Sequence, residues 1–232
     1  MHIPDGYLGP ATCLFFYIVM IPIWYTAFKI ARKKMNEKSV PMLAMLSAFA
    51  FIVMMFNWPV PDGTTAHMVG AVLIAILLGP WASVIAISVA LLIQAFFFGD
   101  GGLTSYAANC FNMGVVMPFV GYYVYRLLMK VIKDKNPWSV GIAGAVGGYI
   151  GINAAAFMAG LELGIQPFIA PGYCPFPYTL SIPAMLFAHL TTAGPVEAVV
   201  TGSVLYYLKS KKSNLLELPK LLLRGCDVGS MD

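Results

Sequence analysis

The chain has 232 residues, of which 59% are hydrophobic and only 10% charged, with a formal net charge of +4 and a mean hydropathy of +0.79. A soluble domain carries roughly 25% charged residues, so a water-soluble globule is excluded and an all-α polytopic membrane protein is expected. The basic residues sit in short segments between apolar runs, which reads as a topology signal and argues against a nucleic-acid partner.

Met1-His2-Ile3-Pro4-Asp5-Gly6 opens the chain without the positive-then-apolar order of a secretory signal. The start codon is therefore expected to supply part of the working protein. The Met1 amine, the deprotonated His2 amide nitrogen and a His2 ring nitrogen are spaced to chelate a divalent metal in adjoining five- and six-membered rings. The competing reading of His2 is an ordinary exposed residue near a terminus.

Residues 9–30 form the first apolar span, closed by Arg32-Lys33-Lys34. Its length suits a hydrocarbon core of about 30 Å at about 1.5 Å per residue. A second span over 39–57, with Pro41 in its first turn, ends at Trp58-Pro59. Residues 59–64 form a turn, and Thr64 or Thr65 caps a third helix over 65–78. That helix is too short to cross a bilayer and is expected to begin below the membrane surface, with a recessed His67 in its first turn.

Gly79-Pro80 breaks the chain before a fourth span over 81–98, which carries Gln94 near its far end. After a loop of small and polar residues over 99–105, the fifth span covers 106–128 and places Asn109 and Asn112 on one side of its early turns. The sixth, over 138–161, holds two overlapping GxxxG pairs, Gly144 with Gly148 and Gly147 with Gly151, expected to let neighbouring backbones approach closely. A long loop with four prolines, over 162–178, leads to a seventh span over 179–208 that contains His189 and Glu197. Both are costly in a bilayer unless they line a cavity or find a partner. Cys13, Cys110, Cys174 and Cys226 show no CxxC spacing and make no disulfide framework.

With seven spans, all fourteen Lys and Arg residues fall on one side, within 29–38, 126–135 and the tail beyond 208. Asp5, Asp62, Asp100 and Glu162 fall on the other. The positive-inside rule then puts the N-terminus outside and the C-terminus in the cytoplasm, so residues 1–208 form one seven-helix domain and 209–232 a cytoplasmic tail. His2 and His67 share the outer side, which raises the count of available nitrogens to four. Gln94, Asn109 and Asn112 lie near the same side, where they either support His67 and the inserted peptide or hydrogen-bond one another. His189 and Glu197 either serve the site and its ion path or pack helices and subunits. The segment over 215–223 either lies against the membrane or a partner, or is disordered.

Met1-His2-Ile3-Pro4-Asp5-Gly6-Tyr7-Leu8, His67 with Gly70, Gln94 before Phe98-Gly99-Asp100-Gly101-Gly102, and Asn109 with Asn112-Met113 together closely resemble the CbiM/NikM family. These are substrate-binding membrane subunits of energy-coupling-factor transporters for cobalt or nickel. The resemblance covers residues 1 to 208, although Ala108 stands where the family often has glycine. It implies a seven-helix fold with an inserted N-terminal loop, and a metal held by the Met1 amine, the His2 amide and imidazole nitrogens, and a His67 imidazole nitrogen. It also implies a prokaryotic cell membrane, a transmembrane scaffold subunit, cytoplasmic ATPase subunits and often a small accessory membrane subunit.

A field of four nitrogens, one of them an ionised amide, favours Ni²⁺ as the bound substrate by a modest margin, with Co²⁺ the alternative. The chain has no GxxxxGK for phosphate binding. A membrane metalloenzyme is the rival reading, but HExxH is absent and no activated nucleophile is evident. A purely structural subunit would account for the packing glycines and not for the opening residues.

Overall fold

The structure is a computed structural model that describes residues 1–35, 39–60, 64–132 and 136–212. Lys38, Asp62, Lys133, Lys135, the 215–223 segment and Cys226, all invoked above, lie outside the described residues. Helices α1 (Pro10–Lys34) and α2 (Ser39–Met54) precede a small hairpin in which β1 (Trp58–Pro59) pairs antiparallel with β2 (Thr65–Ala66). Then follow α3 (Ala71–Leu78) and α4 (Pro80–Ile93), which continues through a π turn over Gln94–Phe98. A third rod is built from α5 (Tyr106–Cys110), a π segment (Phe111–Val116) and α6 (Met117–Val131). The last elements are α7 (Pro137–Gly164), the short α8 (Gln166–Ile169), and α9 (Tyr178–Ala188) joined to α10 (Gly194–Ser210) through a π turn over His189–Ala193.

Among the described residues, three helices are long and apolar enough to cross a membrane by themselves: Pro10–Lys34, Pro80–Phe98 and Pro137–Ile169. The protein is a multi-pass, all-α membrane fold, and its surface has the matching character. On α1, Leu14, Ile18, Ile21, Tyr25 and Phe28 follow helical spacing and are exposed, while Cys13, Phe16, Met20 and Ala27 are buried. An apolar outer face of this kind is matched to hydrocarbon, because lipid tails impose no cost on exposed Leu, Ile and Phe. Helix α3 is apolar on every side, AVLIAILL, and all eight of its residues are buried, as the central helix of a bundle requires.

The glycines of α7 serve two different neighbours. A β-carbon at Gly147 or Gly151 would come within 2.7 Å of the Gly121 and Met117 carbonyl oxygens, respectively. On the adjoining face, a β-carbon at Gly148 would meet Glu197 and Thr201 of α10 at 3.4 Å. The two overlapping pairs thus let α6 and α10 approach α7 from different directions.

Two expectations are corrected. His67 is not in the first turn of a helix: Thr65 and Ala66 are held as strand by the hairpin register Trp58 to Ala66 and Pro59 to Thr65, and α3 starts only at Ala71. The Gly70 φ of +77° makes the bend before that helix, a conformation natural to glycine. Nor is Glu162 a loop residue. Helix α7 runs on to Gly164, and Glu162 is buried in its last turn, where Oε2 accepts from Asn112 Nδ2 at 2.8 Å. That hydrogen bond supplies the partner a buried carboxyl needs.

Candidate functional site

The N-terminal peptide is packed into one end of the bundle rather than projecting from it. Met1, His2 and Ile3 are all buried. Asn109 grips Ile3 at both backbone groups: Oδ1 accepts from the Ile3 N–H at 2.9 Å and Nδ2 donates to the Ile3 carbonyl at 3.0 Å. Gly102 N–H donates to the same carbonyl at 2.9 Å, and Thr64 Oγ1 donates to the His2 carbonyl at 2.8 Å. Farther along, Gln166 Oε1 accepts from Gly9 N–H at 3.0 Å and the Tyr7 carbonyl accepts from Cys174 N–H at 3.2 Å. Each bond joins residues remote in sequence, so the peptide is fixed by the assembled bundle.

Gly101 and Gly102 make room for this insertion. A β-carbon at Gly101, which has φ +88°, would lie 3.3 Å from both Asn109 Nδ2 and His2 Cδ2. Asp5 ties down the same loop by accepting from Leu103 N–H at 3.2 Å, from Thr104 N–H at 2.8 Å and from the Thr104 hydroxyl at 2.5 Å. Slight burial pushes the Asp5 carboxyl up, but these hydrogen bonds outweigh it and hold the group below the usual carboxylate range.

At the centre, the His2 and His67 rings stack with centroids 4.5 Å apart and planes 24° from parallel. His2 Nε2 lies 3.2 Å from Gln94 Oε1, which can only accept, so Nε2 carries the proton and Nδ1 the lone pair. His67 Nδ1 lies 3.0 Å from the Met68 carbonyl, so its lone pair is on Nε2. Both lone-pair nitrogens are buried without a hydrogen-bond partner. Asp100 Oδ1 comes within 3.3 Å of His2 Nδ1 without hydrogen-bond alignment, which sets an acceptor beside a lone pair. Such a pairing is relieved when a cation joins them. Burial, then the nearby charge of the terminal amine, pushes the His2 ring down to about 3 against the smaller opposing effect of Gln94, so the ring is neutral at pH 7. The Met1 amine reaches Thr65 Oγ1 at 3.5 Å.

Of the residues singled out from sequence, Met1, His2, His67, Gln94 and Asn109 are joined in this network. Asn112 is not: its Nδ2 donates to Glu162, and its Oδ1 is buried without a hydrogen-bond partner. His189 is buried, with Nδ1 2.7 Å from the Met185 carbonyl and Nε2 without a hydrogen-bond partner. Glu197 accepts from the Val69 and Gly70 N–H groups, on the loop that carries His67. Sequence reasoning passed over Asp5, Thr64, Asp100 and Ser105 as site residues, although Ser105 bonds the Ile3 carbonyl. For Asp100 and Ser105 the signal was the cluster of short polar residues around the glycine run. Among the described residues, no three His, Cys, Asp or Glu side chains are grouped to hold a metal.

The model of the CbiM family, described as the cobalt uptake substrate-specific transmembrane region, matches residues 2–215. A chain of Methanocaldococcus jannaschii named as a metal transport protein is 61% identical over 216 residues, covering 93% of this chain and 94% of that one. The fused nickel transport protein NikMN of Rhodobacter capsulatus is 46% identical over 93% of this chain, which spans 64% of that longer protein. Among solved structures, the crystal structure of a transition metal transporter is 49% identical with a TM-score of 0.87, covering 97% of this chain and all of that one. With the family pattern running through nearly the whole bundle, this chain belongs to the CbiM/NikM family of membrane metal-transport proteins.

Proposed function

We propose that the protein is the non-catalytic, substrate-binding subunit of an energy-coupling-factor transporter for Ni²⁺, with Co²⁺ the alternative. The observation that carries the reading is the pair of stacked imidazoles whose lone-pair nitrogens, His2 Nδ1 and His67 Nε2, are buried with no hydrogen-bond partner. Two imidazoles do not complete a coordination sphere. The Met1 amine and the His2 amide nitrogen add two donors, and His2 Nδ1 is the ring atom that closes a six-membered chelate with its own amide. The resulting four-nitrogen field suits Ni²⁺. Gln94 and Asn109 support it by fixing the His2 ring and the inserted backbone. X-ray absorption on the nickel-loaded protein is expected to report nitrogen neighbours that include two imidazoles; a sulfur-dominated sphere would sink the assignment.

The reading includes seven crossings, with the N-terminal domain over 1–208 opening outward and the tail over 209–232 in the cytoplasm. Supporting it, the rods starting at Pro10, Tyr106 and Tyr178 all leave the N-terminal loop cluster and have basic residues in their last turns, among them Arg32, Lys130 and Lys209. Cysteine labelling in intact cells, in a variant without Cys226, tests this arrangement. Lys33→Cys is expected to be protected and the exposed Tyr173→Cys to react; labelling of both from outside would refute it.

Uptake against a gradient needs energy that this chain has no phosphate-binding sequence to harvest. A transmembrane scaffold, cytoplasmic ATPase subunits and a small accessory membrane subunit are the proposed partners. In liposomes, the purified chain is expected to bind nickel without ATP-driven accumulation, and addition of the coupling subunits to restore it. Concentrative uptake by this chain alone would contradict the division of labour.

A further inference from the structure

Glu197 belongs to α10, far from His67 in sequence, yet its Oε2 accepts from Val69 N–H at 2.9 Å and from Gly70 N–H at 3.0 Å. The Val69 N–H belongs to the same peptide group as the Met68 carbonyl. That carbonyl lies 3.0 Å from His67 Nδ1. One peptide plane therefore connects the carboxylate to the imidazole: the ring donates to its oxygen, and its N–H donates to Glu197.

We propose that Glu197 is a positioning residue for metal binding, which fixes and polarises the His67 imidazole through the Met68–Val69 peptide and so presents Nε2 to the metal. The inference rests on the reading of His67 as a ligand. Metal-bound histidines commonly give their second ring N–H to a carboxylate or a backbone carbonyl, which sets the tautomer and makes the ligating nitrogen more basic. Here both devices act in series, and each hydrogen bond strengthens the other by polarising the peptide between them.

The carboxylate is itself held. Glu197 is fully buried, Thr201 Oγ1 donates to its other oxygen at 3.5 Å, and Gly148 of α7 leaves the space its side chain occupies. The Gly70 bend brings two successive N–H groups to one oxygen. The arrangement also ties the metal-binding loop to α10, which ends in basic residues at the opposite end of the bundle. A shift of that helix relative to α3 would loosen His67 without touching the metal.

The test is a double-mutant cycle read by calorimetric titration with Ni²⁺ on the full chain. Glu197→Ala is expected to weaken binding by roughly 10- to 100-fold, the range for residues that support metal ligands. In the His67→Ala background the same substitution is expected to have almost no further effect. Glu197→Gln, which keeps an oxygen acceptor at the same reach, is expected to retain most of the affinity. Glu197→Asp, which keeps the carboxyl group but withdraws its oxygens, is expected to lose it, and carries the test should the alanine variant fail to assemble. X-ray absorption on the weakened variants should register one ordered imidazole fewer around nickel. Equal losses in both backgrounds, or full affinity in Glu197→Ala, would overturn the inference while leaving His67 a ligand. Unchanged affinity in His67→Ala alone would instead remove the ligand assignment, and this inference with it.

Discussion

A chain carrying one additional, verified and uncleaved residue before Met1 is expected to lose nickel affinity by more than the roughly 10- to 100-fold that attends loss of a supporting residue. The extension converts the Met1 amine into an amide and removes its basic lone pair, while every original side chain remains. It also alters a buried terminus, since Met1 is buried and its nitrogen lies 3.5 Å from Thr65 Oγ1. Acetylation should act in the same way. Binding should further release about two protons near neutral pH, one from the amine and one from the His2 amide. The His2 ring contributes none, because burial already holds it neutral down to about pH 3.

The sign of the acid response follows. At and below pH 7 an amine with a reference value of about 7.7–8.0 already holds a proton that the metal must displace, so affinity falls as pH falls, well before the His2 ring is protonated. Calorimetry of the extended and native chains in buffers of different ionisation enthalpy measures both quantities. Full-affinity binding by the extended chain would refute coordination by the terminal amine.

His67→Ala is expected to cost a comparable loss, on the order of 100-fold or more, because it removes a proposed ligand rather than a ligand's support. Asn112→Ala provides the contrast. His67 sits on a non-helical loop between β2 and α3, so truncating it removes no residue from a helix and frees one carbonyl, that of Met68, at a cost of about 1–3 kcal/mol. Asn112 Nδ2 is the hydrogen-bond partner of buried Glu162. Its loss leaves a carboxyl unpaired inside the bundle while the nickel site keeps its donors. The two substitutions should therefore separate cleanly: titration detects the first, thermal unfolding the second. Unchanged nickel affinity in His67→Ala would remove that residue from the site.

The chain's membrane character and most helix boundaries were legible from apolar length alone, since about 20 apolar residues have few other uses. The proposed Met1-His2 chelate rests on adjacency instead: its nitrogens are linked by covalent bonds, so the ring sizes it would form follow from the sequence. The short third helix was expected from sequence over 65–78; the structure starts it at Ala71 and buries all eight of its residues.

What sequence left open was which polar group meets which. Gln94, Asn109 and Asn112 looked alike as amides near one end of the bundle. The structure gives them three partners: the His2 ring, the Ile3 backbone and the Glu162 carboxyl. Glu197 read as either packing or path, and became the partner of the Val69 and Gly70 N–H groups. A soluble helix marks its inward face by amphipathic spacing, but a helix between lipid and an apolar core is apolar on both faces. Its rotation is then set by glycine contacts, such as those of Gly147 with α6 and Gly148 with α10, and by a few long-range hydrogen bonds. The same holds for His67. Helical propensity continued α3 back through residue 65, whereas the pairing of Thr65–Ala66 with Trp58–Pro59 satisfies those backbone groups outside any helix and leaves His67 on a loop that can face His2. The covalent neighbours in the site belong to the sequence; the neighbours across space exist only once the helices have packed.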